Sequence, residues 1–252
     1  MDNTMKDLVS GKIAIVTGGG SGIGACDARI FADEGAAGLL LPDIKLDAAQ
    51  AVCDEIMAKH PQCKCVAVKT DVSSPEDVAH VFEVLEKEFG TLDILVNNAG
   101  VTNEIPFEDL TPEHWDRTYA INVKSAFLFC QKALPIMKAK GYGRIINMGS
   151  IAGQVGGLTS GADYATSKGA VLCLTKSVAK RGAAFGVTCN SVAPGQVNTA
   201  MARELHFVPE NIPMKRVAEP EEIASVVLFL ASDLAQYVTG NCVSVNGGMN
   251  ML

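Results

Sequence analysis

Short apolar runs alternate with stretches of helical periodicity from one end of the chain to the other. Residues 12–16, 38–41, 65–68, 92–96, 143–148, 187–192 and 241–245 read as strands, each bounded by glycine, polar or proline-containing segments. Between them the apolar positions fall at helical spacing. In the first such stretch Ala28, Phe31 and Ala32 share one side and Arg29, Asp33 and Glu34 the other. Further helices are predicted over 46–59, up to about 88 from a start at Ser74, about 112–139, 163–185 and 221–232. The start at Ser74 is marked by Ser74-Pro-Glu-Asp77, a capping box with proline at the first helical position. Residues 196–219 show no period. Apolar strands separated by helices of roughly 10–15 residues imply a parallel sheet covered on both faces. The expectation is one doubly wound α/β domain over 1–252, three layers deep.

Composition narrows the function. The chain has 252 residues, 48% of them hydrophobic, a net charge of −7 and a pI near 5.1. That acidity argues against nucleic acid or an anionic membrane as a partner. Residues 1–9 carry interspersed acids and only a short apolar run, unlike a secretory leader, and no apolar run is long enough to span a bilayer. A cytoplasmic enzyme is expected. None of the eight cysteines forms a Cys-x-x-Cys pair and no histidine completes a zinc pattern, so they read mostly as small buried hydrophobes, with no metal.

Thr17-Gly-Gly-Gly-Ser-Gly-Ile-Gly24 lies between the first strand and the first helix, where backbone amides and a helix N-terminus can approach a pyrophosphate. Gly18, Gly22 and Gly24 set a Gly-x-x-x-Gly-x-Gly spacing, with Ser21 and Ile23 between. Asp43 follows the second strand, nineteen residues past Gly24. A carboxylate there accepts from ribose hydroxyls and repels a 2′-phosphate. No arginine or lysine stands in the loop or directly after Asp43, where Ile44 sits, and Lys45 is expected to face solvent. NAD is therefore favoured over NADP.

Only Tyr164, of four tyrosines, has a lysine four residues on, Lys168, so that phenol and ammonium share a helical face. An ammonium there favours the phenolate, and a phenol so tuned can exchange a proton with a carbonyl oxygen or an alcohol. Ser150, fourteen residues before Tyr164, is a hydroxyl donor for the same oxygen.

With Asp71-Val72, Asn97-Asn-Ala-Gly100, Asn122 and Pro194-Gly195 in the same order along the chain, the sequence resembles the short-chain dehydrogenase/reductase family over nearly its whole length. The resemblance implies a Rossmann-type fold with Tyr164 as general acid/base. It has Lys168 holding the nicotinamide ribose and lowering the Tyr164 pKa, Ser150 binding the substrate oxygen, and Asn122 holding a proton-relaying water. It gives Asp71 the adenine amino group with Val72 alongside, and makes Asn98, Ala99 and Gly100 the wall behind the adenosine. Pro194, Gly195, Val197 and Thr199 would border the nicotinamide. Two departures stand out. The interval from Ser150 to Tyr164 is one residue longer than is common in the family, placed in the loop 156–161. Asp27 is an acid where many relatives are uncharged, and is read as part of a solvated face.

Substrate choice is expected from 101–105, 151–159 and 196–213. The last contains Val197, Met201, Leu205, Phe207 and Val208, giving a mainly apolar pocket, with Gln154, Gln196, Asn103, Glu104 and His206 as its polar groups. No arginine cluster awaits a phosphate or carboxylate. The expected substrate is a neutral secondary alcohol or ketone. Alternatives are an NADPH-dependent 3-oxoacyl carrier-protein reductase and a nucleotide-binding scaffold without catalysis, which would predict loss of Ser150, Tyr164 or Lys168. The family resemblance further implies a homotetramer built on the helices at about 124–139 and 163–185 and on the C-terminal strand.

Overall fold

The computed structural model describes residues 7–157, 160–200 and 208–251. Its centre is a seven-stranded parallel sheet in the order β3-β2-β1-β4-β5-β6-β7. Strand β1 is Ile13–Val16, α1 Gly22–Asp33, β2 Gly38–Asp43, α2 Leu46–Lys59, β3 Lys64–Lys69, α3 Pro75–Glu88 and β4 Ile94–Asn97. The second half comprises α4 Pro112–Tyr119, α5 Ser125–Lys140, β5 Gly143–Met148, α6 Ala152–Val155, α7 Ala162–Gly182, β6 Val187–Pro194, α8 Pro220–Ala231 and β7 Cys242–Val245. Every residue of β1, β2, β4, β5 and β6 is buried, which is why these strands read as mainly apolar runs rather than alternating ones, the polar residues of β5 and β6 (Arg144, Asn147, Thr188, Asn190 and Ser191) being buried too.

Two apolar layers flank the sheet. One joins Phe31, Ile56, Val227 and Leu230 of α1, α2 and α8 to Val16, Leu41 and Val96. The other joins Leu85, Phe129, Met137 and Val178 of α3, α5 and α7 to Ile15, Leu95 and Ile145. Phe31 and Phe129 are fully buried, each worth roughly 2–3 kcal/mol in transfer from water. Strand order reverses between β1 and β4, opening a crevice at their C-terminal ends, the place where doubly wound sheets bind nucleotides.

Several local expectations change. The helix over 112–139 is interrupted: α4 and α5 are joined by a π-helical turn at Ala120–Lys124. Ser74 caps α3 by accepting from Asp77 N at 3.1 Å, but Asp77 does not close the box onto Ser74 N; its carboxylate takes Asp71 N at 2.8 Å. The loop after Ser150 contains the short helix α6. Asp27 does not lie on a solvated face. It is fully buried, and neither carboxylate oxygen has a partner, because a helix phase that turns Gly24, Ala28 and Phe31 inward turns position 27 inward too. Burial pushes its pKa well above the ordinary carboxylate range. Five of the eight cysteines are buried, and all are free.

Candidate active site

The phosphate loop is braced from two sides. Thr17 Oγ1 accepts from Asn98 N and Ala99 N, both at 3.0 Å, while Asn98 Nδ2 donates to Thr17 O at 2.9 Å and Gly18 O at 3.3 Å. Gly18 and Gly22 take φ of +67° and +54°, a region that costs any residue with a Cβ. A Cβ on Gly24 would stand 2.4 Å from Gly18 O and 2.5 Å from Asn98 Nδ2, so the first turn of α1 touches the loop. Ser21 is the N-cap of α1 and makes no side-chain cap bond; Ile23 is half-buried. An exposed helix start preceded by a side-chain-free turn is a cradle for a pyrophosphate, and this chain fits one.

At the C-terminal end of β2, Asp43 is held by Gly20 N on Oδ2 and Lys45 N on Oδ1, both at 2.9 Å. Its carboxylate is thus fixed beside the loop. Ile44 and Lys45 are exposed. After β3, Asp71 is exposed. Its Oδ1 accepts from Ser73 N and Ser73 Oγ, and the Ser73 hydroxyl bond holds its carboxyl below the usual range. Val72 is buried against the α3 layer.

The reactive end is built by three elements. Tyr164 and Lys168 project from α7, Ser150 follows β5, and Asn122 sits in the π turn. Ser150 Oγ accepts from Ala152 N at 3.1 Å and lies near enough to the Tyr164 hydroxyl to lower its pKa. Lys168 Nζ lies 5.8 Å from the centroid of the Tyr164 ring and donates to Met148 O at 2.8 Å. The Tyr164 pKa goes up, not down: burial raises it and the Ser150 hydroxyl draws it back only in part. This reverses the direction expected from the sequence, and the physical reason is desolvation. Lys168 is desolvated as well, and burial lowers its pKa to about 8. The Asn122 amide is fully engaged, accepting from Val101 N at 2.8 Å and donating to Val101 O and Ser167 Oγ, both at 3.0 Å. Its side chain therefore fixes the segment after β4 rather than standing free for a water. A Cβ on Gly100 would meet Asn122 Oδ1 at 3.2 Å and Lys168 Nζ at 3.4 Å.

The chain was also compared with known proteins. The family described as Enoyl-(Acyl carrier protein) reductase matches residues 18–250. The chain is a short-chain dehydrogenase/reductase. A 3-oxoacyl-[acyl-carrier-protein] reductase of Staphylococcus epidermidis is 38% identical over 245 residues, 95% of this chain and 99% of that one. A cyclohexanol dehydrogenase of an Acinetobacter species is 37% identical over 250 residues, 98% of each chain. The crystal structure of a 3-ketoacyl-(acyl-carrier-protein) reductase from Brucella melitensis complexed with NADH superposes with a TM-score of 0.89. That pair shares 32% identity over 96% of this chain and 100% of the other. Short-chain dehydrogenase/reductases are nicotinamide-dependent oxidoreductases, and this chain is one of them.

For a short-chain dehydrogenase/reductase the remaining placements are informative. Pro194 ends β6, and Gly195 N donates to Val245 O at 2.9 Å where a Cβ would meet Asn246 Cα at 2.9 Å. Val197 is buried and bridges to Ala218; a Cβ on Gly22 would stand 3.5 Å from Thr199 Cγ2, so Thr199 faces the phosphate loop. Gln154 turns toward the C-terminal segment, bonded to Ser244 Oγ at 2.9 Å and to Asn250 Nδ2 at 3.1 Å. Those bonds take it away from the pocket-lining task read from the sequence. Gln196 Oε1 is buried without a partner among the described residues, beside a cavity of about 80 Å³ also lined by Ile212, Arg216 and Asn246. Leu205, with Met201, His206 and Phe207, falls outside the described residues.

Two supporting features escaped the sequence reading. Asn97 Nδ2 donates to Asn147 Oδ1 at 2.8 Å and Asn147 Nδ2 to Thr175 Oγ1 at 2.9 Å, a buried polar chain joining β4, β5 and α7. The signal was an asparagine inside an otherwise apolar strand, a residue that must find partners. Gly153 lets α6 approach α7 so closely that a Cβ would stand 2.6 Å from Lys168 C, which fixes the depth of the Lys168 backbone.

Proposed function

We propose that this chain transfers a hydride between NAD(H) and a neutral, mainly apolar secondary alcohol or ketone. The observation that carries the reading is the meeting of Ser150, Tyr164 and Lys168, with Lys168 Nζ 5.8 Å from the Tyr164 ring and Ser150 near enough to lower the Tyr164 pKa. Tyr164 is the general acid/base. In the reductive direction its phenol, kept protonated at neutral pH by burial, donates to the carbonyl oxygen while Ser150 donates to the same atom. In the oxidative direction Tyr164 takes the alcohol proton, and the Lys168 ammonium steadies the phenolate. When bound, the nicotinamide supplies or accepts the hydride. Gly18 to Gly24, Asp71, Val72, Asn98 to Gly100 and Pro194 to Thr199 are the groups that would hold it.

The choice of NAD rests on Asp43, whose carboxylate is fixed beside Gly20 and would repel a 2′-phosphate. Substrate selection is assigned to the loop at about 196–219 and to Val101 to Ile105. A cytoplasmic homotetramer fits the half-exposed edge strand β7 and the exposed Phe127, Phe229 and Tyr237. The names of the carrier-protein reductases among the relatives favour a second reading, reduction of 3-oxoacyl groups, for which the sequence reading expected NADPH.

Initial rates with NAD and NADP over a panel of neutral secondary alcohols, on the parent, Tyr164→Phe and Asp43→Ser, separate these. NAD preference, its loss in Asp43→Ser and abolition in Tyr164→Phe support the reading. A parent that prefers NADPH and reduces 3-oxoacyl thioesters overturns it in favour of the second.

A further inference from the structure

The segment after β4 and the start of α7 meet at a buried carboxylate that the chemistry above leaves unused. Asp163 is the second residue of α7 and is fully buried. Its Oδ2 accepts two hydrogen bonds, from Thr118 Oγ1 of α4 at 2.5 Å and from Asn103 Nδ2 at 2.8 Å. Its Oδ1 is buried with no partner. Asn103 in turn accepts from Ile105 N on its Oδ1 at 3.1 Å, and its backbone carbonyl accepts from Gly161 N at 2.8 Å. Gly161 is the N-cap of α7. A Cβ there would stand 2.2 Å from Asn103 Oδ1 and 2.5 Å from Asp163 Oδ1, so no side chain fits between them.

One oxygen atom therefore joins three elements that converge on the reactive end: α4, the 101–106 segment and α7. Tyr164 is the next residue along the chain. Burying a carboxylate is costly unless it is hydrogen-bonded, and the N-terminal turn of α7 supplies a favourable dipole for it. The charge is not what the geometry uses, because both bonds go to a single acceptor.

We propose that Asp163 is a positioning residue that locks the 101–106 segment to the start of the helix carrying Tyr164. The consequence for turnover rests on the reading that Tyr164 is the acid/base and that 101–105 faces the substrate. Wall and proton donor then move as one body, and a displacement near 1 Å between them costs up to about 100-fold in rate.

The test compares Asp163→Ala, Asp163→Asn, Asn103→Ala and Thr118→Val with the parent. Asparagine keeps an acceptor oxygen for both donors while removing the charge. The expected result is a fall in kcat of roughly 10- to 100-fold in Asp163→Ala, with NADH affinity, read by fluorescence titration, within about twofold of the parent. Smaller losses follow in Asn103→Ala and Thr118→Val, and Asp163→Asn recovers most of the lost kcat. Hydrogen exchange gives a readout free of turnover: the Ile105 and Gly161 amides lose protection in Asp163→Ala and keep it in Asp163→Asn. Full kcat and unchanged exchange in Asp163→Ala overturn the proposal, as does loss of NADH binding in step with kcat, which would mark a general structural defect. Asparagine behaving like alanine overturns it too, since the charge would then be the working feature. If the parent turns over no alcohol or ketone, the functional reading fails while exchange still decides the lock.

Discussion

Asp27 offers the sharpest test of the energetics. Its carboxyl is enclosed in α1 with no hydrogen-bond partner for either oxygen, on a helix that packs against α8. Truncation to alanine should stabilise the protein. Removing an unpaired buried polar group returns about 1–3 kcal/mol, and the void left by so few atoms costs under about 1 kcal/mol. The pH dependence is the distinctive part. Burial raises the folded pKa, so the folded state holds the proton more tightly than the unfolded chain does. Below the unfolded carboxyl's pKa near ~4 both states are protonated and the parent has its full stability. Above it the parent loses about 1.4 kcal/mol per pH unit until the folded group titrates. Asp27→Ala lacks this slope. Urea denaturation of parent and variant at pH 4, 5, 6 and 7 measures it, the variant's advantage widening with pH. An advantage that is constant with pH, or a variant less stable than the parent, would show that Asp27 is paired and charged in solution, and the reasoning would be wrong.

Gly24→Ala forces a Cβ to within 2.4 Å of Gly18 O and 2.5 Å of Asn98 Nδ2, both part of the braced loop. A displacement of the loop worth about 2 kcal/mol corresponds to roughly 30-fold weaker NADH binding, measurable by fluorescence. Lys168→Met should abolish turnover yet stabilise the fold. The buried ammonium titrates at about 8, below its ordinary 10.5, so its cost is absent above that value and complete below pH 8, near 3 kcal/mol. After loss of the bond to Met148 O the net gain at pH 7 is about 2 kcal/mol, vanishing in denaturation at pH 11. Because burial raises the Tyr164 pKa, alcohol oxidation should climb with pH into the alkaline range while ketone reduction stays flat from pH 6 to 8. An oxidation rate that levels off below pH 8 would refute that assignment.

Much of this arrangement was legible in the chain. The buried strands announced themselves because all-apolar runs of that length leave few other options, and the glycine loop, Asp43 and the Tyr164–Lys168 pair carry their chemistry in spacing. What failed depended on depth or phase. Asp27 was assigned by its charge, although the inward phase of Ala28 and Phe31 already pointed position 27 inside. The Tyr164 pKa was assigned from its neighbour Lys168, while the larger effect, removal of water, is a property of the assembled fold. Asp163 was read only as the start of a helix, and its partners Asn103 and Thr118 lie 60 and 45 residues away. The π turn leaves no mark, because a one-residue slip in helical phase does not alter which residues favour a helix.

That slip has a genetic corollary. Removing a single codon from the stretch 120–124 would let α4 and α5 run together as one regular helix, improving the local hydrogen bonding. The same deletion would close the widened turn that aims Asn122, while leaving α4 and α5 roughly in phase because the π turn already absorbs the extra residue. Asn122 would swing off Val101 and Ser167, and the segment leading to Asn103 would lose its anchor. A selection for stability alone would favour the shorter gene; a selection for turnover would reject it. The extra residue is thus a point where the two pressures can be separated in a single experiment on a library of in-frame deletions.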